Sequence, residues 1–466
     1  MLGTNSEYYK HILRLAAPVV LAQAGQLTTQ FADTAMVGSF GGEDPLPLAA
    51  VSLGSALFLI IYLGALGLAL GITPVIGEHF AKGDKRRVAH LLQNSMLYCA
   101  VVGVVATGIA LAARPLMYAL SDMLTPQNDA ADIDAVVQCA VPYFDMLTWS
   151  IVPLMIFLSF KQFLEGIGNT SIAMWIVLGC NALNIALNWV FIFGHLGMEP
   201  MGAEGAGLAT LISRIVQMAC IAVIVLRAKR FGEYRRHFAR RVTSWPPMRA
   251  ILRVGYPIAF QMVLEASAFI ATTILALSFG AVASSAFQIT FNIANVAWMI
   301  IVAVGSASTI VVSHIYGAGD FRRLRPTVAA TYRIGLTWSI MMAVVFVVLR
   351  GTIPALFTDN GEVIELTGYL LIYISVYQIS DGIQGLSISI LRGLQDVRIV
   401  MPIVLVSYLV LNIPIGYLLA FTCGMGPVGL VLGLLCGLTA AALLTSLRVR
   451  YQLRRRERQA AADAPR

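Results

Sequence analysis

Twelve stretches of about twenty apolar residues each run through this chain, and they leave few folds open. Their approximate limits are 11–38, 47–72, 88–113, 136–160, 170–194, 204–227, 250–278, 283–311, 327–349, 364–391, 398–421 and 425–447. Of the 466 residues, 58% are hydrophobic and only 12% charged. A soluble domain carries about 25% charged residues. The expected fold is therefore an all-α integral membrane protein with twelve transmembrane helices. Met1 to Lys10 is polar and runs straight into the first span, so no cleavable signal peptide is expected. The six cysteines show no redox or metal spacing and read as small core hydrophobes. The six histidines are scattered and mark no metal site.

Charge in the loops sets the expected orientation. One set of loops carries Lys82, Lys85, Arg86 and Arg87, then Lys161, then Lys229, Arg230, Arg235, Arg236, Arg240 and Arg241. The same side holds Arg322, Arg323, Arg325, Arg392, Arg398 and a basic tail from Arg448. The opposite set has only Arg114 and Arg350 and is otherwise acidic, with Glu43, Asp44, Asp122, Asp129, Asp132, Asp134, Glu199, Glu204, Asp359, Glu362 and Glu365. Lys and Arg stay on the cytoplasmic side during insertion, so both termini are expected there. An even number of spans requires the same. The net charge of +8 thus belongs to insertion topology, and no nucleic-acid partner is expected.

The chain also repeats itself. Ile-Leu-Arg-Leu-Ala-Ala-Pro at 12–18 returns as Ile-Leu-Arg-Val-Gly-Tyr-Pro at 251–257, and Ser39-Phe40-Gly41 returns at the same offset as Ser278-Phe279-Gly280. The segment 77–87 resembles 313–323, and Leu183-Asn184-Ile185 matches Leu411-Asn412-Ile413. Each half then holds six spans with the same orientation, a parallel repeat about a pseudo-two-fold axis along the membrane normal. The expected division is a lobe at 1–227, a basic cytoplasmic linker at 228–249, a second lobe at 250–447 and a basic tail at 448–466. Two such lobes around a cleft suit alternating access, not an enzyme or a pore.

Three acids inside spans break the repeat: Asp33, Glu265 and Asp381. A charge at the bilayer centre costs from roughly 3 to more than 10 kcal/mol, so a chain that keeps three is expected to use them. Each could also be a satisfied polar bond between helices. At the repeat offset Asp33 faces Thr272 and Glu265 faces Gln26, so each lobe has its own acid. Asp145 and Arg214, also deep in spans, suggest a structural ion pair, because buried charges need partners. Lys161 and Glu165, near the cytoplasmic end of the fourth span, are expected to snorkel or to pair locally. Gln288 and Asn292, four apart on the eighth span, are candidates for lining a substrate cleft, with interhelical bonding as the plainer reading.

Several segments together resemble one family. Phe31-Ala-Asp-Thr-Ala-Met-Val-Gly38 is similar to its first-span motif. Phe80-Ala-Lys-Gly-Asp84 and Tyr316-Gly-Ala-Gly-Asp320 are similar to its two short cytoplasmic loops. Leu164-Glu-Gly-Ile-Gly-Asn169 and Leu391-Arg-Gly-Leu-Gln-Asp396 are similar to the ends of its fourth and tenth spans. The chain from about residue 10 to 447 resembles the multidrug and toxic compound extrusion (MATE) transporters, in their NorM-like branch. The resemblance implies a first-lobe cation pocket at Asp33, Asn184, Asn188 and Thr210. Some relatives carry Asp where Asn188 stands, which makes this pocket less charged. It implies a second-lobe site at Glu265, Tyr377 and Asp381, where Na⁺ could bind Glu265 and Asp381. H⁺ is the alternative ion, with Na⁺ favoured by the resemblance.

The function expected is a cation-coupled antiporter, not an enzyme, that exports small lipophilic and often cationic drugs or toxins. The expected setting is the bacterial inner membrane, as a lipid-embedded monomer without a cofactor other than the coupling Na⁺ or H⁺. The alternative is a lipid-linked oligosaccharide flippase of the same wider superfamily. Its pyrophosphate cargo would call for several buried Arg or Lys, and here Arg214 is the deep cation.

Overall fold

The computed structural model describes residues 5–41, 46–119, 130–238 and 245–462. Among them the fold is all helical, with no strand. Twelve long helices follow in chain order. They are α1 (Asn5–Gly41), α2 (Leu46–Ala81), α3 (Lys85–Ala112), α4 (Asp134–Gly166), α5 (Ser171–Phe193) and α6 (Gly202–Arg227), then α7 (Trp245–Leu277), α8 (Ala281–Ala318), α9 (Phe321–Val348), α10 (Gly361–Gly393), α11 (Val400–Thr422) and α12 (Pro427–Gln459). Helices are dictated by the solvent: in hydrocarbon every backbone N–H must find its carbonyl within the segment. Eleven of the twelve are both long and apolar enough to cross a membrane. The exception, α1, has the length, but Gln23, Gln26 and Gln30 dilute its apolar content. The loop residues Glu43, Asp44, Asp122, Asp129, Arg240 and Arg241 lie outside the described residues.

By packing, the chain forms two compact units. One comprises Leu21–Ala259, the other Met1–Val20 together with Phe260–Arg466. The division read from the sequence places α1 wholly in the first half and α7 wholly in the second. In the structure both helices change unit along their length, two residues after Pro18 in α1 and two after Pro257 in α7. A proline inside a helix removes one hydrogen bond and bends the axis, which lets one helix serve two cores. Within the second unit, Ile12, Leu15 and Ala16 are buried in a core with Ile310, Val312 and Leu391. Arg333 there donates to the Tyr9 hydroxyl at 3.1 Å. Within the first unit, the start of α7 lies against α2. A Cβ added at Gly255 would stand 2.4 Å from the Leu68 carbonyl oxygen, and one at Gly71 would stand 2.6 Å from the Gly255 nitrogen. Such approach needs small residues on both helices.

Two helices are broken and one is widened. α2 breaks at Gly71 and α4 at Ser150. α11 contains two π-helical stretches, Val406–Asn412 and Leu418–Thr422. Tyr408 and Asn412, both in the first stretch, are buried. The beginning of the basic linker is folded rather than extended: Phe231 and Tyr234 pack edge-on against Phe163, and Glu233 accepts from Lys85 at 2.6 Å. That ammonium holds the Glu233 carboxyl below its ordinary range. The basic tail likewise continues α12, in a helix that runs to Ala462. There Arg448 grips Asp396 through two hydrogen bonds, at 2.7 and 3.1 Å, and Gln452 adds a third at 2.6 Å.

The expected Asp145–Arg214 ion pair does not form. Asp145 pairs with Arg114 at 2.6 Å, and Arg214 has no carboxylate within 4.0 Å among the described residues. Arg114 was read as a loop residue, but its long side chain reaches back into the lobe, as such side chains do near span ends. Lys161 and Glu165 do pair, at 3.6 Å. Of the cysteines, Cys99 and Cys180 are buried, whereas Cys220, Cys423 and Cys436 are exposed, so only part of the set serves as core.

Candidate functional site

The first unit gathers all four residues expected of its pocket. Asp33 lies on α1, Asn184 and Asn188 one turn apart on α5, and Thr210 on α6. The i, i+4 spacing puts the two asparagines on one face, toward the acid. Asn188 donates from Nδ2 to Asp33 Oδ1. With the Asn184 amide in the orientation that satisfies both its ends, Nδ2 donates to Asp33 at 3.1 Å and Oδ1 accepts from the Thr210 N–H at 3.3 Å. Asn188 is 0% exposed, and its Oδ1 has no hydrogen-bond partner among the described residues. A buried acceptor left open beside a carboxylate matches what a small hard cation needs, namely oxygen ligands with uncommitted lone pairs.

The second unit is built differently. Glu265, on α7, is held by amides: Gln384 of α10 donates to its Oε1 at 2.7 Å and Gln261 at 3.3 Å. Tyr408 of α11 donates to the Gln384 oxygen at 3.2 Å, which turns the amide nitrogen toward the acid. Arg392 donates to the Gln261 oxygen at 3.2 Å and places a cation behind the same carboxylate. Asp381 has no hydrogen bond among the described residues, and it interacts electrostatically with Glu265 and with Tyr377. Tyr377 stands edge-on to Phe291 at 5.9 Å. Glu265, Tyr377 and Asp381 thus share one compartment without bonding one another directly.

Gln261, Gln384, Arg392 and Tyr408 were missed as members of this cluster. Gln261 had a signal, since it stands one turn from Glu265. Gln384 had one too, three residues from Asp381. Tyr408 had none, because a tyrosine in an apolar span is ordinary. Gln288 and Asn292 are exposed on α8, each next in sequence to a buried phenylalanine, Phe287 or Phe291, and make no hydrogen bond among the described residues.

Comparison with known proteins places the chain in a family. The MatE family model matches residues 18–190 and 257–418. A probable multidrug resistance protein NorM of Idiomarina loihiensis is 30% identical over 461 residues, 98% of this chain and 96% of that protein. The multidrug resistance protein MdtK of Cronobacter sakazakii is 30% identical over 447 residues, 95% of each. Among solved structures, the eukaryotic MATE transporter AtDTX14 superposes with a TM-score of 0.85 at 19% identity, over 98% of this chain and 99% of that one. The Vibrio cholerae MATE transporter VcmN in its bent form gives 0.82 at 21% identity, over 97% and 98%. With both repeats matched and near-complete coverage by relatives at this identity, the chain belongs to the MatE family.

Proposed function

We propose that this protein is a cation-coupled multidrug antiporter of the bacterial inner membrane with both termini in the cytoplasm. Na⁺ or H⁺ enters down its gradient, occupies the acids of the two units, and drives export of lipophilic, often cationic compounds by alternating access. Its NorM and MdtK relatives are named as multidrug resistance proteins, which supports the cargo class. The observation that carries the coupling is the state of the buried acids. Asp33 sits beside an open buried acceptor, and Glu265 is preset by two amide donors next to the unbonded Asp381. Two carboxylates in one apolar compartment repel each other, and a bound cation relieves that repulsion. A cationic drug does the same, so ion and drug compete.

Purified protein in proteoliposomes tests this reading. Drug efflux is expected under an imposed Na⁺ gradient, and a parallel run with a pH gradient alone shows whether H⁺ substitutes. Glu265→Gln and Asp381→Asn should each abolish ion-triggered release while leaving some drug binding. Efflux that is indifferent to both gradients would end the coupling hypothesis.

A further inference from the structure

Where α9 ends and α10 begins, the second unit carries a cavity of about 580 Å³ whose lining includes Arg350, Glu362, Glu365, Gly368 and Tyr369. Neither ion cluster uses any of these residues. α10 has 33 residues, which carry it about 50 Å at the helical rise. Its far end lies by the basic tail, where Arg448 grips Asp396. The cavity is therefore at the opposite end of this unit, across a hydrocarbon layer of about 30 Å. Close packing builds it. A Cβ added at Gly368 would stand 2.7 Å from the Arg350 carbonyl oxygen, so the chain leaving α9 lies directly on the first turns of α10.

The charges around the cavity have both signs and do not satisfy one another. Among the described residues, the Arg350 guanidinium and the carboxylates of Glu362 and Glu365 form no ion pair within 4.0 Å and no side-chain hydrogen bond. Arg114, the other cation expected on this side of the membrane, is engaged by Asp145, so Arg350 stands out as a cation kept for another partner. Glu362, Glu365 and Tyr369 follow the i, i+3, i+7 spacing of one helix face, and all three are exposed. Apolar surface adjoins the charges. On α9, Val344, Val347 and Val348 are exposed on the approach to Arg350, and Leu356, in the short turn before α10, is 80% exposed. Surface of this kind, rimmed by charge and a tyrosine, suits an amphiphile seated at the edge of a bilayer.

We propose that this cavity binds the headgroup of a phospholipid with a primary amine, its phosphate on Arg350 and its ammonium on Glu362 and Glu365, while the acyl chains cover the exposed valines of α9. Arginine suits the phosphate because its planar fork gives two parallel hydrogen bonds. The acids suit a primary ammonium, which donates three hydrogen bonds. A quaternary ammonium donates none, and a headgroup without an amine leaves both acids facing its phosphate. The site belongs to the leaflet opposite the basic tail. It rests on membrane insertion alone and is independent of the coupling ion and of the cargo.

The test titrates delipidated full-length protein in detergent with phosphatidylethanolamine and with phosphatidylcholine of the same acyl chains, and native mass spectrometry follows the first lipid bound. Wild type should hold the ethanolamine lipid about tenfold or more tighter, as for one lost charge-assisted hydrogen bond in the choline lipid. The double variant Glu362→Gln, Glu365→Gln should bind both lipids alike, at the wild-type affinity for phosphatidylcholine. Arg350→Gln should weaken both lipids by about tenfold, because both carry the phosphate. The ratio of the two affinities within one variant does not depend on how much of the protein is folded, so damage to the fold cannot imitate loss of amine recognition. Equal binding of the two lipids by wild type overturns the proposal. So does a preference for ethanolamine that survives in the double variant, or lipid binding unchanged in Arg350→Gln. Glycerophosphoethanolamine, the same headgroup without chains, should compete poorly; competition at concentrations equal to the lipid's would assign the cavity to a soluble ligand and overturn the lipid.

Discussion

Asp33 and Glu265 are both acids in apolar surroundings, yet the chain prepares them differently. Asp33 is met by two asparagines from one helix, and an acceptor oxygen is left open beside it. Asp33→Asn keeps the shape and removes the charge. It should insert and fold normally and lose nearly all efflux; wild-type transport in this variant would reduce the residue to a structural role. Glu265 depends on a relay, from Tyr408 to Gln384 to the carboxylate. A hydrogen bond to a charged group contributes about 1.5–3 kcal/mol and a neutral one about 0.5–1.5 kcal/mol. Gln384→Leu should therefore raise the Na⁺ needed for half-maximal drug release by about tenfold to a hundredfold, and Tyr408→Phe by about threefold to tenfold. Titration of drug release with Na⁺ would read both, and the reverse ranking would rule out the relay. The limit of sequence reading also shows at this scale. Asn184, Asn188 and Thr210 were legible because a motif and a helical spacing pointed to them. The partner of Asp145 was not, because hydropathy says that a charge is buried but not which way its helix face is turned.

At the scale of elements, close helix contact carries a testable cost. The α2–α7 approach leaves no room for a Cβ at Gly255, and the obstacle is backbone that cannot rotate away. Gly255→Val forces the helices apart. Overpacking of this kind costs roughly 1–3 kcal/mol, and thermal denaturation in detergent should show it as a clear fall in Tm. Gly108→Ala is the control: it lies in α3 with nothing within 4 Å of its new Cβ, and it should leave Tm unchanged or slightly raised. The span limits themselves were legible to within a few residues over most of the chain, because polar loops bound each apolar run. The π-stretches of α11 were not legible. They pair i→i+5 instead of i→i+4, with Tyr408 and Asn412 buried in the first of them, and composition carries no trace of that pairing.

At the scale of the molecule, insertion should obey the Lys and Arg count. A tag after Arg466 and a cysteine label placed in 233–238 should both react only from the cytoplasmic side. External labelling of either would overturn the orientation proposed above. The repeat was legible because corresponding segments of the two halves, in the same order, keep their residues. The exchange of helix starts was not, because hydropathy is silent on which neighbours a helix chooses.

That exchange bears on history. It occurs at Pro18 and again at Pro257, positions that the internal repeat makes equivalent. In each case the opening turns of a half are spent on the other half's core. Undo the duplication, and one six-helix subunit would be left lending its own first turns to a twin. Such a half would be an incomplete fold, its core finished only by turns that another chain segment supplies. A severed present-day half would inherit the same incompleteness: expressed by itself it should be degraded, and it should recover only when its counterpart is made in the same cell.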